Sequence, residues 1–247
     1  MPRFSILLFL LLGAIPLHAQ TSLENAAHAR SLLGPAVWSK IIRIENDSRL
    51  GRYPRVVHAL VFELCGVLWF YTDSDGTQSF SLHRDRVEEE KADFGPLLRD
   101  IDRGFLRWSE VTSPSPAPSR GGARLRNGCF IESVSLWRGR LPTGMPATRP
   151  RLVSYYLDTP AGRLGHTVLA YETDGQVEVI DPVCPDERRI VRSDVGASPL
   201  NLARLIAGSR VVSVRTLSLD GAVETPVVMA DRGGPRGRAA GESPARS

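Results

Sequence analysis

The chain has only three cysteines in 247 residues, Cys65, Cys129 and Cys184. That number is too small and too odd for a disulfide framework, so at least one thiol is free or intermolecular. No C-x-x-C pair with histidine partners occurs, so no structural zinc site is expected, and neither a metal nor a cofactor is called for. Lysine is scarcer still, with Lys40 and Lys91 the only two. The formal net charge of +4 comes largely from the ends: Arg3 lies at one, and four arginines against Asp231 and Glu242 lie at the other. The body is near +1, without the basic stripe that tracking a phosphate backbone requires, which argues against a nucleic-acid partner.

Long apolar runs are also lacking after the first twenty residues. The one at the start, FSILLFLLLGAIPL, follows Arg3 and ends in Leu17-His18-Ala19, with residues suited to the −3 and −1 positions of a cleavage site. It is shorter than the roughly 20 apolar residues of a spanning helix. Residues 1–19 therefore read as a secretory signal peptide, with a secreted or periplasmic mature chain that has no stable membrane span. Residues 20–225 are expected to form a single α+β domain, and 226–247, rich in Gly, Pro and Arg, a disordered tail.

The pattern along the body alternates helix and strand. Leu23–Leu33 reads as a helix closed by Gly34-Pro35, and Trp38–Ile44 as a strand. Val56–Phe62 and Val67–Thr72 form a hairpin about Cys65-Gly66. A helix is expected over about Pro96–Phe105, and a Pro/Ser/Gly-rich connection, either linker or surface loop, over Ser113–Arg124. From Cys129 an amphipathic helix follows, with Phe130, Val134, Trp137 and Leu141 on one face. Leu152–Leu157 is a strand, and His166–Glu172 with Gln176–Ile180 a second hairpin about Asp174-Gly175. Arg189–Arg192, Pro199–Ala207 and Val211–Leu219 read as strand, helix and strand.

Each hairpin carries a histidine 15 residues before an aspartate, His58 and Asp73 in the first, His166 and Asp181 in the second. A short internal duplication accounts for this, and so do two ordinary hairpins of similar length. With Cys65-Gly66 as the turn, His58 falls directly opposite Asp73 and the two read as a structural cross-strand pair; Thr21, not a cysteine, stands 37 positions before His58, so the first hairpin is not expected to complete a second catalytic set.

Chemistry is expected at Cys129. A thiol in the first turn of a helix meets unpaired N–H groups and the positive dipole end, an environment that favours a thiolate. If Asp174-Gly175 is a two-residue turn, Val168 faces Asp181, and His166 and Asp181 become diagonal neighbours on one face, about 7–8 Å apart at the backbone. A carboxylate there can fix the imidazole tautomer and stabilise its charged form, as in a nucleophile–base–orienter triad.

NGCFIESVSLW followed by GHTVLAYETDGQVEVIDP resembles the Cys…His…Asp pattern of transglutaminase-like and papain-like cysteine peptidases over about residues 127–182. The resemblance implies a central, mostly antiparallel sheet with β-hairpins, packed against a helix that bears the cysteine at its N-terminus. It further implies Cys129 as nucleophile, His166 as base, Asp181 as orienter and an upstream amide, here Gln78, as oxyanion donor. The implied activity is that of a peptidase, amidase or acyl transferase acting on a peptide or protein, with cell-envelope material one candidate. The alternative is a non-catalytic secreted binding domain.

Overall fold

The computed structural model describes residues 21–79, 84–112, 124–140, 148–160, 162–173, 175–192, 198–219 and 224–229. The proposed signal peptide and most of the Ser113–Arg124 connection lie outside them. Its elements are α1 (Ser22–Leu33), β1 (Ser39–Asn46), β2 (Val56–Leu64), β3 (Val67–Thr72) and β4 (Gly76–Ser79), then a single 3-10 turn at Arg84–Arg86. α2 (Val87–Ala92), α3 (Gly95–Ile101), β5 (Phe105–Glu110) and α4 (Cys129–Arg140) follow. The remainder is β6 (Thr148–Thr159), β7 (Gly162–Thr173), β8 (Gln176–Asp181), β9 (Cys184–Arg192), α5 (Pro199–Ala207), β10 (Val211–Ser218) and β11 (Glu224–Met229).

The strands form two antiparallel sheets rather than the one central sheet expected from the sequence. One has the order β4-β3-β2-β1-β5, the other β11-β10-β6-β7-β8-β9, so each hairpin belongs to a different sheet. The reason lies in the apolar patterning. β3 is buried at all six residues and β2 at six of its nine, so this sheet needs cover on both faces. On the inner side Leu60, Phe62, Trp69 and Tyr71 of the first sheet meet Leu152, Leu169, Tyr171 and Ile180 of the second, with α1 and α4 in the same core. The outer face of the first sheet packs under Phe94, Leu97 and Leu98 around α3. The outer face of the second, Val153, Val168, Ala170 and Val179, packs under Leu202 and Ala203 of α5.

Most expected elements occur near their expected bounds, and α5 coincides with its expected range. The expected helix Pro96–Phe105 is shorter, because Asp102 leaves the helical conformation and its side chain is buried as an acceptor. It takes the backbone N–H groups of Arg52 (2.9 Å), Tyr53 (3.2 Å) and Gly104 (2.9 Å), and β5 begins at Phe105. The first residues of the expected tail belong instead to β11, which pairs with β10 at Glu224, Thr225, Val228 and Met229. Residues 230–247 are outside the described residues.

The first hairpin turns on Cys65 (φ 55°) and Gly66 (φ 69°), both left-handed, the geometry of a type I′ turn. Cys65, in this turn, and Cys184, the first residue of β9, are not joined by a disulfide.

Candidate active site

Cys129 is the first residue of α4, and the loop that delivers it is tied to the opposite sheet. Asn127 takes a left-handed conformation (φ 54°), and its Nδ2 donates to the carbonyls of Asp73 and Ser74, both at 2.9 Å, in the β3–β4 turn. Tyr71 Oη donates to the Arg126 carbonyl at 2.8 Å. Between Asn127 and Cys129 only a glycine fits, since a Cβ on Gly128 would come within 2.1 Å of Leu125 Cβ. Glu132, one turn into α4, reaches back to accept the Leu125 N–H at 2.9 Å and to pair with Arg124 at 3.1 Å. Loop and helix start thus form one hydrogen-bonded unit, a rigid mount for a reactive side chain.

His166 lies on β7 and Asp181 at the end of β8. The β7–β8 register, Thr173 opposite Gln176 and Leu169 opposite Ile180, is the one a two-residue turn dictates. It brings the two side chains together: His166 Nε2 is 3.0 Å from Asp181 Oδ1 and 3.1 Å from Oδ2. A carboxylate only accepts, so Nε2 carries the proton and Nδ1 is the nitrogen left for a thiol. Asp181 Oδ1 also accepts the Val183 N–H at 2.8 Å.

Cys129 lines the same cleft as this imidazole and acts on it electrostatically. Burial alone would drive His166 toward neutrality, but its hydrogen bonds to Asp181 and the charges of Asp181 and Cys129 outweigh that effect, and its pKa is pushed up to about 9. For Asp181 burial acts upward, and the hydrogen bonds from His166 and the Val183 N–H overcome it to hold the carboxyl below its ordinary range. His166 therefore stays protonated at neutral pH, between a carboxylate and a thiol.

Three contributors escaped the sequence reading. Arg124, the last residue of the supposed linker, pairs with Glu132 and lines the same cleft as Cys129. Tyr155 stands opposite His166 in the β6–β7 register, with ring centroids 5.5 Å apart in an edge-on contact. Its phenol is pushed up to about 12 by burial and by the charges of Asp181 and Cys129, so the ring wall stays neutral. Asn127 is the third. Its Asn-Gly dipeptide was a visible turn signal, but the partner of its amide lies 53 residues away.

Cys129 and His166 open into a cleft of about 740 Å³. One wall comes from the β3–β4 turn, Ser74 to Thr77, with Arg52, whose guanidinium pairs with Asp75 at 3.0 Å. The other comes from Tyr155, Tyr156, Leu157, Leu164 and Gly165, with Val183 at the rim. Tyr156 and Leu164 are well exposed, and a Cβ on Gly165 would meet the Tyr156 ring at 2.9 Å, so this glycine lets the ring lie across the strand.

Gln78 is not among the residues lining this cleft. It sits on β4 opposite Phe70, next to Thr77, which does line it, and strand alternation turns neighbouring side chains to opposite faces. The Thr77 hydroxyl is buried with no hydrogen-bond partner among the described residues. In the first hairpin His58 Nδ1 meets Ser22 Oγ at 3.0 Å, and Asp73 Oδ2 accepts from Asn25 Nδ2 at 3.4 Å, so the simple His58–Asp73 cross-strand pair expected from the register is replaced by bonds to α1. Among the described residues no group of three His, Cys, Asp or Glu side chains is placed to hold a metal ion, and no helix is long and apolar enough to cross a membrane.

Compared with protein-family models, with curated proteins and with solved structures, the chain matches none.

Proposed function

We propose that the protein is an exported thiol-dependent acyl-transfer enzyme, a peptidase, amidase or acyl transferase of the transglutaminase-like and papain-like kind. Cys129 is its nucleophile, His166 its acid–base and Asp181 its orienter. The observation that carries the reading is the His166 imidazole, bound by both oxygens of Asp181, in the cleft that Cys129 also lines.

In this reading the Cys129 sulfur attacks an acyl carbonyl and forms a thioester, while protonated His166 gives its proton to the leaving amine. Water, or a second amine, then adds with His166 taking its proton, and the adduct collapses to the acyl product, returning Cys129 as thiolate beside protonated His166. Donors for the developing oxyanion are the first-turn N–H groups of α4, which have no acceptor within the helix, and the Thr77 hydroxyl on the facing wall. Arg124 lines the same cleft as Cys129 and offers a cation to a carboxylate or carbonyl oxygen of the substrate. The apolar wall of Tyr156, Leu157 and Leu164 suits a peptide with a bulky apolar side chain next to the reacting bond.

The test is alkylation by iodoacetamide at pH 6, mapped by mass spectrometry. Modification of Cys129 at least tenfold faster than of N-acetylcysteine, and lost in His166→Ala, supports the enzyme. A Cys129 that reacts no faster than the free amino acid leaves the non-catalytic binding domain as the reading.

A further inference from the structure

The order of elements in the first half recurs in the second. α1 is followed by the antiparallel meander β1, β2, β3, β4, and β5 then returns to pair with β1. α4 is followed by the meander β6, β7, β8, β9, and β10 then returns to pair with β6. In each half, helices lie between the meander and the returning strand, α2 and α3 in one and α5 in the other, and the outer faces of the two sheets pack beneath α3 and α5. Both middle hairpins turn on two residues, and His58 and His166 stand on the second strand of their meanders.

The correspondence extends to the helix starts. Cys129 is the first residue of α4, and Ser22 is the first residue of the twelve-residue α1. The sequence spacing pointed to Thr21, but that hydroxyl is occupied as N-cap, accepting the Glu24 N–H at 3.2 Å. The next residue is the one that meets the imidazole: Ser22 Oγ lies 3.0 Å from His58 Nδ1.

We propose that the chain is an internal repeat, and that Ser22 and His58 are a second nucleophile–base pair in which a serine hydroxyl stands where the other half has a thiol. The hydrogen bonds accommodate the reactive tautomer. Ser22 Oγ accepts the backbone N–H of His58 at 3.3 Å and keeps its own proton to donate to Nδ1 in the tautomer that carries its proton on Nε2. Burial, and after it the charge of Arg43, hold His58 below the ordinary histidine range, so its imidazole is a neutral base. Arg43 lies opposite His58 in the β1–β2 register, as Tyr155 lies opposite His166, and its guanidinium, paired with Glu45, sets a positive charge near the imidazole.

Attack by Ser22 Oγ on an activated acyl centre forms the ester bond and passes the hydroxyl proton to His58 Nδ1. The leaving group departs with the electron pair of its broken bond and takes that proton. Asp73, the counterpart of Asp181, accepts from Asn25 Nδ2, so this pair is set for activated esters rather than for amides, whose expulsion calls on a stabilised imidazolium. The chemistry rests on the reading of Cys129 and His166 given above; the geometry does not.

The experiment uses the full chain carrying Cys129→Ala, so its outcome is independent of whether Cys129 catalyses. Adding Ser22→Cys should give a thiol that iodoacetamide alkylates at pH 6 at least tenfold faster than N-acetylcysteine, with that advantage removed by His58→Ala. A folded S22C variant, by circular dichroism and melting, whose introduced thiol reacts no faster than N-acetylcysteine, or is indifferent to His58→Ala, overturns the proposal. A second measurement leaves Ser22 in place: in the Cys129→Ala chain at pH 7, nitrogen NMR of His58 should show a bare Nδ1 that accepts a hydrogen bond lost in Ser22→Ala. A proton found on Nδ1 overturns the proposal equally, whether or not S22C folds.

Discussion

His166 Nε2 lies almost equidistant from the two carboxylate oxygens of Asp181, at 3.0 and 3.1 Å, in a side-chain pair only 15% and 34% exposed. Such a bond orients the ring and stabilises its charged form at once. Asp181→Asn keeps the shape and removes the charge. The pKa of His166 should then fall from about 9 toward or below the ordinary histidine value, because burial is no longer opposed by the carboxylate. Alkylation of Cys129 at pH 6 should slow at least tenfold, read by mass spectrometry beside a proton NMR titration of the ring.

Stability should depend on this histidine with a defined sign. His166 is raised in the folded protein, so its contribution is fully present below the unfolded value near 6.5 and is lost as pH climbs through about 9. A shift of this size corresponds to at most about 3 kcal/mol. Urea melts at pH 6 and pH 9.5 should show a drop in the wild type that is absent in His166→Ala. A rise in stability across that window would contradict the ring's charged state.

Asn127→Ala should loosen the mount of the nucleophile without touching the reacting atoms. Its side chain makes two 2.9 Å bonds to the β3–β4 turn, and its φ of 54° suits Asn better than Ala. Loss of both effects should cost about 2 kcal/mol. Alkylation of Cys129 should slow while the NMR titration of His166 keeps its shape. Asn127→Gly restores only the backbone freedom and should recover part of the stability.

Leu98→Ala is the contrasting case. Leu98 is 2% exposed in the core between α3 and the outer face of the first sheet, away from the cleft. The cavity should cost about 2–5 kcal/mol in a denaturant melt. Below the melting transition, Cys129 should react as in the wild type.

Much of the local structure was legible in the residues. The Asp174-Gly175 dipeptide, a turn signal in the sequence with apolar alternation on either side, predicts the β7–β8 register, and that register carries His166 to Asp181 because side chains on antiparallel strands meet across fixed rungs. The helix beginning at Cys129 was legible for a similar reason, its apolar stripe having the helical period. β4 and β5 were not. β4 is four residues of Gly, Thr, Gln and Ser, and β5 buries none of its six residues fully, so neither shows the alternation that marks a half-buried strand.

Local spacing determined the helices that begin near Leu23, at Cys129 and at Pro199, the two hairpins and the pairing of one histidine with one aspartate, since each depends on residues within about fifteen positions of one another. Only the tertiary structure decided the rest. It split the hairpins between two sheets, because those strands bury both of their faces and need partners on each side. It set Arg124 in the cleft that Cys129 lines, bound Asn127 to a turn more than fifty residues earlier, and brought Ser22 rather than Thr21 to His58. These contacts depend on how a helix start lies against a sheet, a relation that no periodicity within either element encodes.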